Sequence, residues 1–356
     1  MLIINYYISR QVIKYFFVVL IAVTTIYVTV DFFERIDNLM RVDVGSYQVF
    51  IFFISKIPLV VVLLTPVGVL LSILIALGIM NKNNEIIALK SGGVSIYALL
   101  KPVLSLGLIF TFFIFFVAEI IVPITISKAN FIWQNKEGTV VASRENNIWI
   151  RQDRLIANIK YFIPTERTAY GLTLSYFDHN FNLVRRIDAK RGTYTEDKWV
   201  LYEVLEQTLT NTGDYNVKVK PIMEEKIELL PDDLKKVIKK TEEMGFFELK
   251  SYIKKVQSEG YDAKIYKVDL YSKISFPFVC IIMVIVGTGI AVKDKNRKKN
   301  MASNIVIGIG IAFCYWISHS FCMSLGYAEI LSPQIAAWAT NMIFLCFGII
   351  LIIKAE

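Results

Sequence analysis

One run in the 356-residue chain joins a lone carboxylate to an apolar side and a built-in stop: Asn81-Lys82-Asn83-Asn84-Glu85-Ile86-Ile87-Ala88-Leu89-Lys90-Ser91-Gly92-Gly93. Asn81 or Asn84 can cap a helix, Ile86, Ile87 and Leu89 give it an apolar side, and Gly92-Gly93 ends it. Such a helix has two physical uses. It can seat its acid and apolar face in a groove of another protein, or it can rest on lipid; the residues alone leave both open.

The second group able to do chemistry is His319, inside a long apolar block with Asn304, Tyr315, Ser318 and Cys322 nearby and Gly308 and Gly310 allowing close backbone approach. An ionisable group at such a place faces a cavity or a partner helix; a plain hydrogen-bonded helix contact is the simpler reading. His179, the only other histidine, falls in an apparent turn, Asp178-His179-Asn180, and reads as a solvated surface residue. The chain has no GxxxxGK[ST] loop, no HExxH and no metal-spaced histidines. An autonomous enzyme is therefore not expected, nor a metal or cofactor held by this chain.

Those residues need elements to hold them, and composition says which. The residues are 55% hydrophobic and 20% charged, and the apolar ones concentrate in charge-free blocks, as in an integral membrane protein. Crossing about 30 Å of hydrocarbon takes about 20 largely apolar residues. Six intervals meet or approach this: 15–30, 57–81, 102–118, 274–292, 300–328 and 330–353. The first runs into Asp31-Phe32-Phe33-Glu34-Arg35 without a small-residue cleavage site, so it reads as a retained span. The four cysteines, Cys280, Cys314, Cys322 and Cys346, all fall inside apolar blocks, where packing is their expected role.

The net charge of +8 is not a nucleic-acid footprint. Between Ser127 and Asp269 there are 24 Lys+Arg against 22 Asp+Glu, so most of the excess sits beside apolar blocks. With the N-terminus inside, the inner segments hold Arg10, Lys14, Lys82, Lys90 and Lys101, then Lys293, Lys295, Arg297, Lys298, Lys299 and Lys354; the short outer loops hold only Arg35, Arg41 and Lys56. Cytoplasmic loops carry the basic excess, which predicts both termini in the cytoplasm and the middle segment outside.

That middle segment changes character. From Gly138 to Pro221, short alternating or β-branched runs at 139–141, 147–150, 155–159, 172–177, 198–202 and 215–219 are broken by turn residues such as Arg191-Gly192 and Thr212-Gly213-Asp214. A small antiparallel sandwich or jelly roll is expected. After Pro231 the pattern turns helical over Asp232–Glu243 and Phe247–Ser258, with Gly260 as a stop. The expected fold is thus a mixed α and β membrane protein: three spans over 1–126 with a short helix near 82–92, a β-jellyroll-like domain over 127–230, a helical connector over 231–265, and three spans over 266–356.

The span order, the Asn84-Glu85-Ile86-Ile87-Ala88-Leu89-Lys90-Ser91-Gly92-Gly93-Val94-Ser95 run, Phe246-Phe247-Glu248-Leu249-Lys250-Ser251-Tyr252-Ile253 and Tyr266-Lys267-Val268-Asp269-Leu270-Tyr271-Ser272-Lys273-Ile274-Ser275-Phe276-Pro277 resemble the LptF/LptG permease family. The resemblance covers essentially the whole chain, and Asp31-Phe32-Phe33-Glu34-Arg35-Ile36-Asp37 is more similar to the LptG side of it. It implies the membrane half of an ABC exporter in the bacterial inner membrane, which extracts lipopolysaccharide and passes it to a periplasmic bridge. The implied partners are an LptF-like paralogue, an LptB-like cytoplasmic ATPase dimer that binds ATP and Mg, and an LptC-like bridge protein. Glu85, Ile86, Leu89 and Lys90 would then form the ATPase-coupling helix. Arg35, Arg41, Lys56 and Lys128 would meet the phosphorylated sugars at the outer headgroup level; pairing with Asp31, Glu34, Asp37 and Asp43 is the simpler role for any one of them. Thr25 and Tyr27 on span one, with Tyr315, Ser318 and His319 on span five, are the expected gate or cavity residues. Two other classes compete: a secondary transporter, which would carry an intramembrane carboxylate or broken helices that this chain lacks (Glu119 is near the outer end of span three, and Pro66 is the one strong mid-span breaker), and a non-transporting membrane scaffold with an external β-domain. The scaffold would leave the Glu85 helix without a purpose.

Overall fold

The structure is a computed structural model that describes residues 2–40, 46–93, 95–135, 148–152, 154–163, 167–179, 181–195, 198–209, 215–225, 227, 240–258, 262–293 and 301–354. Two compact units share them. Met1–Asn130, Thr241–Lys254 and Asp262–Glu356 form a helical unit, and Phe131–Lys240 with Lys255–Tyr261 form the second, built around a sheet.

Among the described residues six helices are long and apolar enough to cross a membrane: Ile3–Ile36, Ser46–Lys82, Leu99–Ile132, Lys264–Val292, Ser303–Tyr327 and Pro333–Ile353. They are built from α1 (Leu2–Met40), α2 (Ser46–Lys82), α4 (Ile96–Phe116) running through a π-turn into α5 (Val122–Asn135), α7 (Lys264–Ser275) running through a 3₁₀ turn into α8 (Val279–Lys293), α9 (Met301–Tyr327) and α10 (Pro333–Ile353). Between the second and third spans lies the short α3 (Glu85–Ser91), and α6 (Phe246–Ser258) precedes the fourth. The helices outrun the charge-free intervals because backbone hydrogen bonding continues wherever charged side chains find partners. Asp31, inside α1, does so.

The second and fourth spans form the centre: 67% of the apolar window of each is buried, against 22% for the first and fifth. Small residues let the helices close on α2, since a Cβ at Gly308 would lie 2.5 Å from Leu74 and one at Gly287 would lie 3.2 Å from Leu70. Gly310, expected to do the same, faces open space. Of the cysteines only Cys280 is buried, while Cys314 and Cys346 are exposed on the outside of the unit; expected packing thus holds for one and fails for those two. Pro66 does not break α2, which runs through both Pro58 and Pro66. The Thr65 hydroxyl donates to the Val61 carbonyl at 2.6 Å, one residue before the proline.

The real break is at Pro277. The turn Phe276–Phe278 interrupts the fourth span, and the side-chain amide of Asn341 donates to the Ser275 carbonyl at 2.8 Å while its oxygen accepts from the Tyr315 hydroxyl at 2.8 Å. Asn341 is 1% exposed. Asn341→Leu keeps the volume but leaves a buried carbonyl and a buried hydroxyl without this partner, at about 1–3 kcal/mol each. We expect a clearly lower thermal midpoint for the purified chain in detergent, and an unchanged midpoint would show that the network contributes nothing.

A second irregularity carries a charge. Glu119 lies in the π-turn Val117–Ile121 and accepts the Phe246 backbone N–H at 2.6 Å, at the start of α6. Gly245 makes that approach feasible, because a Cβ there would stand 2.8 Å from the Glu119 carboxylate. The expected helix over 232–243 lies mostly outside the described residues; Thr241–Glu243 is a 3₁₀ turn.

The second unit holds one six-stranded antiparallel sheet whose strands neighbour one another in chain order: β1 (Ile148–Gln152), β2 (Leu155–Ile163), β3 (Thr168–Phe177), β4 (Leu183–Thr195), β5 (Lys198–Leu209) and β6 (Tyr215–Glu225). Arg191-Gly192, expected as a turn, is inside β4; charged residues at outward positions hid that strand's alternation. The expected run 139–141 lies outside the described residues.

The ladder skips one row. Pairing passes from Ile159↔Leu172 to Tyr161↔Tyr170, from Leu172↔Ala189 to Tyr170↔Arg191, from Ala189↔Val204 to Arg191↔Tyr202, and from Val204↔Lys220 to Tyr202↔Ile222. The skipped residues, Lys160, Gly171, Lys190, Glu203 and Pro221, form a line across five strands. Gly171 (φ 63) and Glu203 (φ 50) are left-handed there, and Pro221 has no N–H to give. At this line the alternation inverts, so that Ala189 and Gly192, and likewise Leu201 and Val204, point inward three residues apart. Residues from both sides of the line, among them Ile159, Leu172, Ile187, Phe162, Trp199 and Leu201, enclose one core. A sheet bent along a row of irregular residues can close on one core from both sides of the bend, and the strand order here is a simple meander within a single sheet.

A polar clasp joins the two sides. Arg185, on one side of the line, donates to Glu225 on the other at 2.8 and 3.2 Å and to Glu206 at 2.8 Å, while Lys220 donates to Glu206 at 2.8 Å. The Tyr176 hydroxyl also donates to Glu225, and burial with that carboxylate pushes its pKa up. Hydrogen bonding from Lys220 holds the Glu206 carboxyl below its ordinary 4.5 against the opposing effect of burial, with Arg185 adding to it. A depressed folded pKa means a stabilisation that is present above about pH 4.5 and lost as pH falls through the folded value. Acidification below pH 4.5 should therefore loosen this unit in tryptophan fluorescence, and Glu206→Gln should flatten that pH dependence. An identical acid profile in the variant would contradict the assignment.

Candidate functional site

The short helix α3 is shaped locally as the sequence predicts. Asn84 stands before its first residue with φ 62, a conformation asparagine tolerates, and its carbonyl accepts the Ala88 N–H at 3.0 Å. Gly92 donates to the Ala88 carbonyl at 3.0 Å and Gly93, with φ 80, carries the chain away. The Glu85 carboxylate accepts the Tyr7 hydroxyl at 3.0 Å and the Asn83 amide at 3.2 Å, which ties α3 to the start of α1. Ile86 is 4% exposed and packs inside the chain, so it does not face outward; Ile87 does, at 42%. Leu89 is half-buried, and the Lys90 side chain lies outside what is described. The outward chemistry of α3 is thus Glu85 and Ile87, with Leu89 between them and the chain.

At the far end of α1 the basic residues are not free charges. Asp31, 7% exposed, accepts Arg35 Nε at 2.7 Å and Lys56 Nζ at 2.6 Å. This carboxylate joins α1 to α2, and Lys56 also lies over the Phe52 ring. Lys128 is exposed on α5 with no ion pair among the described residues. Arg41 lies outside the described residues. The structure therefore brings Arg35 and Lys56 together through Asp31, in the pairing the sequence offers as their simpler role.

The expected gate residues separate into two sets. Thr25 and Tyr27 are exposed on α1. Tyr315 and His319 are buried within the chain, their rings stacked 5.8 Å apart, with Trp316 and Phe276 also around His319. Ser318 is half-buried. The Nδ1 of His319 is buried without a hydrogen-bond partner among the described residues. Asn341, which completes the Tyr315 contact, was missed by sequence reasoning; an asparagine in an apolar span opposite a proline-broken helix was the available signal. His179 is on the surface as expected, beside Arg154 at 2.7 Å.

Six helices long and apolar enough to cross a membrane, a six-stranded sheet inserted between the third and the fourth, and a short helix between the second and the third define a multi-pass membrane protein among the described residues. The profile of the lipopolysaccharide export system permease LptF/LptG family matches residues 6–354, and the chain belongs to that family. It is 22% identical over 315 residues to the lipopolysaccharide export system permease protein LptG of Haemophilus influenzae, covering 87% of each chain. It is likewise 22% identical over 329 residues to LptG of Escherichia coli K12, covering 90% of each. Both similarities are on the LptG side, in line with the resemblance of the Asp31–Asp37 run.

Proposed function

We propose that the chain is the LptG-like permease subunit of an ABC-type exporter that extracts lipopolysaccharide from the bacterial inner membrane and passes it to a periplasmic protein bridge. The observation that supports this most strongly is the family match across all six spans and the inserted sheet. ATP and Mg are bound by a separate LptB-like ATPase dimer, onto which α3 docks through Glu85 and Ile87. An LptF-like paralogue completes the membrane half, and an LptC-like protein receives the lipid from the β-domain. Both termini are cytoplasmic and the β-domain is periplasmic, as the basic excess beside the inner span ends demands.

The Asp31-centred cluster supports a headgroup role for Arg35 and Lys56. A carboxylate held by two cations fixes both charged groups in one place, where a phosphate can meet them. We assign Arg41 and Lys128 the same headgroup role. Affinity capture of the tagged full chain from its own membranes tests the assembly. It should bring down a P-loop ATPase, a homologous six-span chain and an all-β protein; recovery without an ATPase would overturn the reading.

A further inference from the structure

We propose that the outer face of the sheet binds a phosphate monoester at Arg191 of β4 and Lys160 of β2. The irregular line across the strands builds the site. Where inward residues fall three apart, two consecutive residues face outward instead of one: Tyr170 with Gly171, Lys190 with Arg191, and Tyr202 with Glu203. The register then sets Arg191 between Tyr170 and Tyr202, and its guanidinium carbon lies 6.0 and 5.7 Å from their ring centres. Two flanking rings attract the cation and restrict the plane of its donor fork without consuming an N–H. Gly171 admits the second cation. A Cβ there would lie 2.7 Å from Cγ and Cδ of Lys160, so the missing side chain lets the lysine stem lie over β3, the strand that separates it from Arg191.

Charge selects the ligand. The described carboxylates on this face each have a cation: Glu203 has Lys190 at 2.8 Å, Glu224 has Lys198 at 3.3 Å, and Asp188, in the next row, has Arg186 at 2.9 Å. Arg191 and Lys160 are exposed, and neither has a hydrogen bond or an ion pair among the described residues. Arg167, in the turn before β3, and Arg151, in the row of Arg186, add charge of the same sign. The face therefore carries a positive excess with its donors unspent. Tyr202 adds a hydroxyl that also has no partner among the described residues. A carboxylate, with one charge and two oxygens, is satisfied by the arginine fork alone. A phosphate monoester carries close to two charges on three terminal oxygens, and so engages the fork, the ammonium and the hydroxyl together. The site uses none of the residues assigned to docking or to the headgroup role, and it does not rest on the transport reading.

Isothermal titration of the full chain, in detergent and phosphate-free buffer, tests the site. The probes are glucose 6-phosphate, glycerol 3-phosphate, glucuronate and methyl glucoside. Both phosphate esters should bind more tightly than glucuronate, and methyl glucoside should not bind. The tighter of the two esters names the source, a phosphorylated sugar or a lipid headgroup. Loss of charge-assisted hydrogen bonds in Arg191→Gln should weaken ester binding about tenfold. Arg191→Lys, which keeps the charge and loses the fork, should not restore it, and Lys160→Gln should weaken binding by a smaller factor. Both side chains are exposed, so these variants should keep the wild-type unfolding midpoint. Lys250→Gln removes an exposed charge on α6 and should leave binding unchanged. No ester binding, glucuronate binding as tightly as the esters, or an equal loss in Lys250→Gln would each overturn the proposal. So would binding that survives Arg191→Gln and is lost in Lys56→Gln, which would move the ligand to the Asp31 cluster.

Discussion

Glu85→Lys is expected to abolish lipid export while leaving the chain folded and in the membrane. Glu85 starts a seven-residue helix that exposes Ile87 beside it, so a partner groove that covers Ile87 also covers the carboxylate. Removing one member of a desolvated charge pair costs about 2–5 kcal/mol, a loss of roughly thirtyfold or more in docking affinity. Reversal adds repulsion to that loss. Ile87→Asp should act the same way through the apolar contact. Ile86→Ala should instead lower the thermal midpoint, because Ile86 is packed inside its own chain. Glu85 also holds Tyr7 within the chain, so Tyr7→Phe separates the two roles: it removes the internal contact and keeps the charge. Co-purified ATPase and lipid release are the measurements. Full export by Glu85→Lys would sink the docking role, and an equal loss in Tyr7→Phe would reassign Glu85 to internal anchoring.

The sequence located the helix that starts at Glu85 but not the inward turn of Ile86, and the difference is a matter of which forces act locally. Asn84, Gly92 and Gly93 fix the ends of α3 by backbone conformation alone, and such rules read directly from residue type. Two adjacent isoleucines are indistinguishable by type. Which one turns inward depends on how α3 lies against the helices around it, and no spacing within seven residues carries that information. The spans were legible for a similar reason: the cost of a bare charge in hydrocarbon writes itself into charge-free intervals. Asp31 shows the limit, because its cost is offset by Arg35 one turn on and by Lys56 from the next helix. The second of those contacts is tertiary.

The β-domain divides along the same line. Alternation announced most of its strands, yet β4 was overlooked because its outward positions carry Arg186, Lys190 and Arg191 and its chain includes Gly192. The bend across the sheet leaves a trace that can be found afterwards, since inward residues fall three apart where two is the rule. One such gap in one strand looks like noise. Only the register, which lines up Lys160, Gly171, Lys190, Glu203 and Pro221, shows that the gaps are a single structural feature. The Tyr315–Asn341–Ser275 contact was likewise invisible, as it joins three helices that the sequence treats separately.

Locking the first span to the partner permease should stop export and reductant should restore it. The first and fifth spans are the least enclosed of the six. On α9, Val306, Ile309, Phe313, Ile317 and Phe321 form an exposed apolar stripe at helical spacing, and on α1 Phe17, Ile21 and Ile26 are bare beside Thr25 and Tyr27. Lipid alone would satisfy those faces. Extraction of a lipid demands more, because acyl chains must enter sideways between two subunits, and the helix pair that seals that seam has to part. If the two permeases pair pseudo-symmetrically, α1 of this chain faces the fifth span of its partner, and Thr25 is where a cysteine can be introduced without touching the core. Cys314 and Cys346 are exposed and must first be replaced by serine so that the engineered bond is the one that forms. With Thr25→Cys paired to a cysteine on the partner's fifth span, lipid release should fall at least tenfold on oxidation and recover on reduction, with ATP hydrolysis still measurable. Unchanged release from fully cross-linked complex would remove span one as the gate, since a helix that cannot leave its neighbour cannot admit a lipid between them.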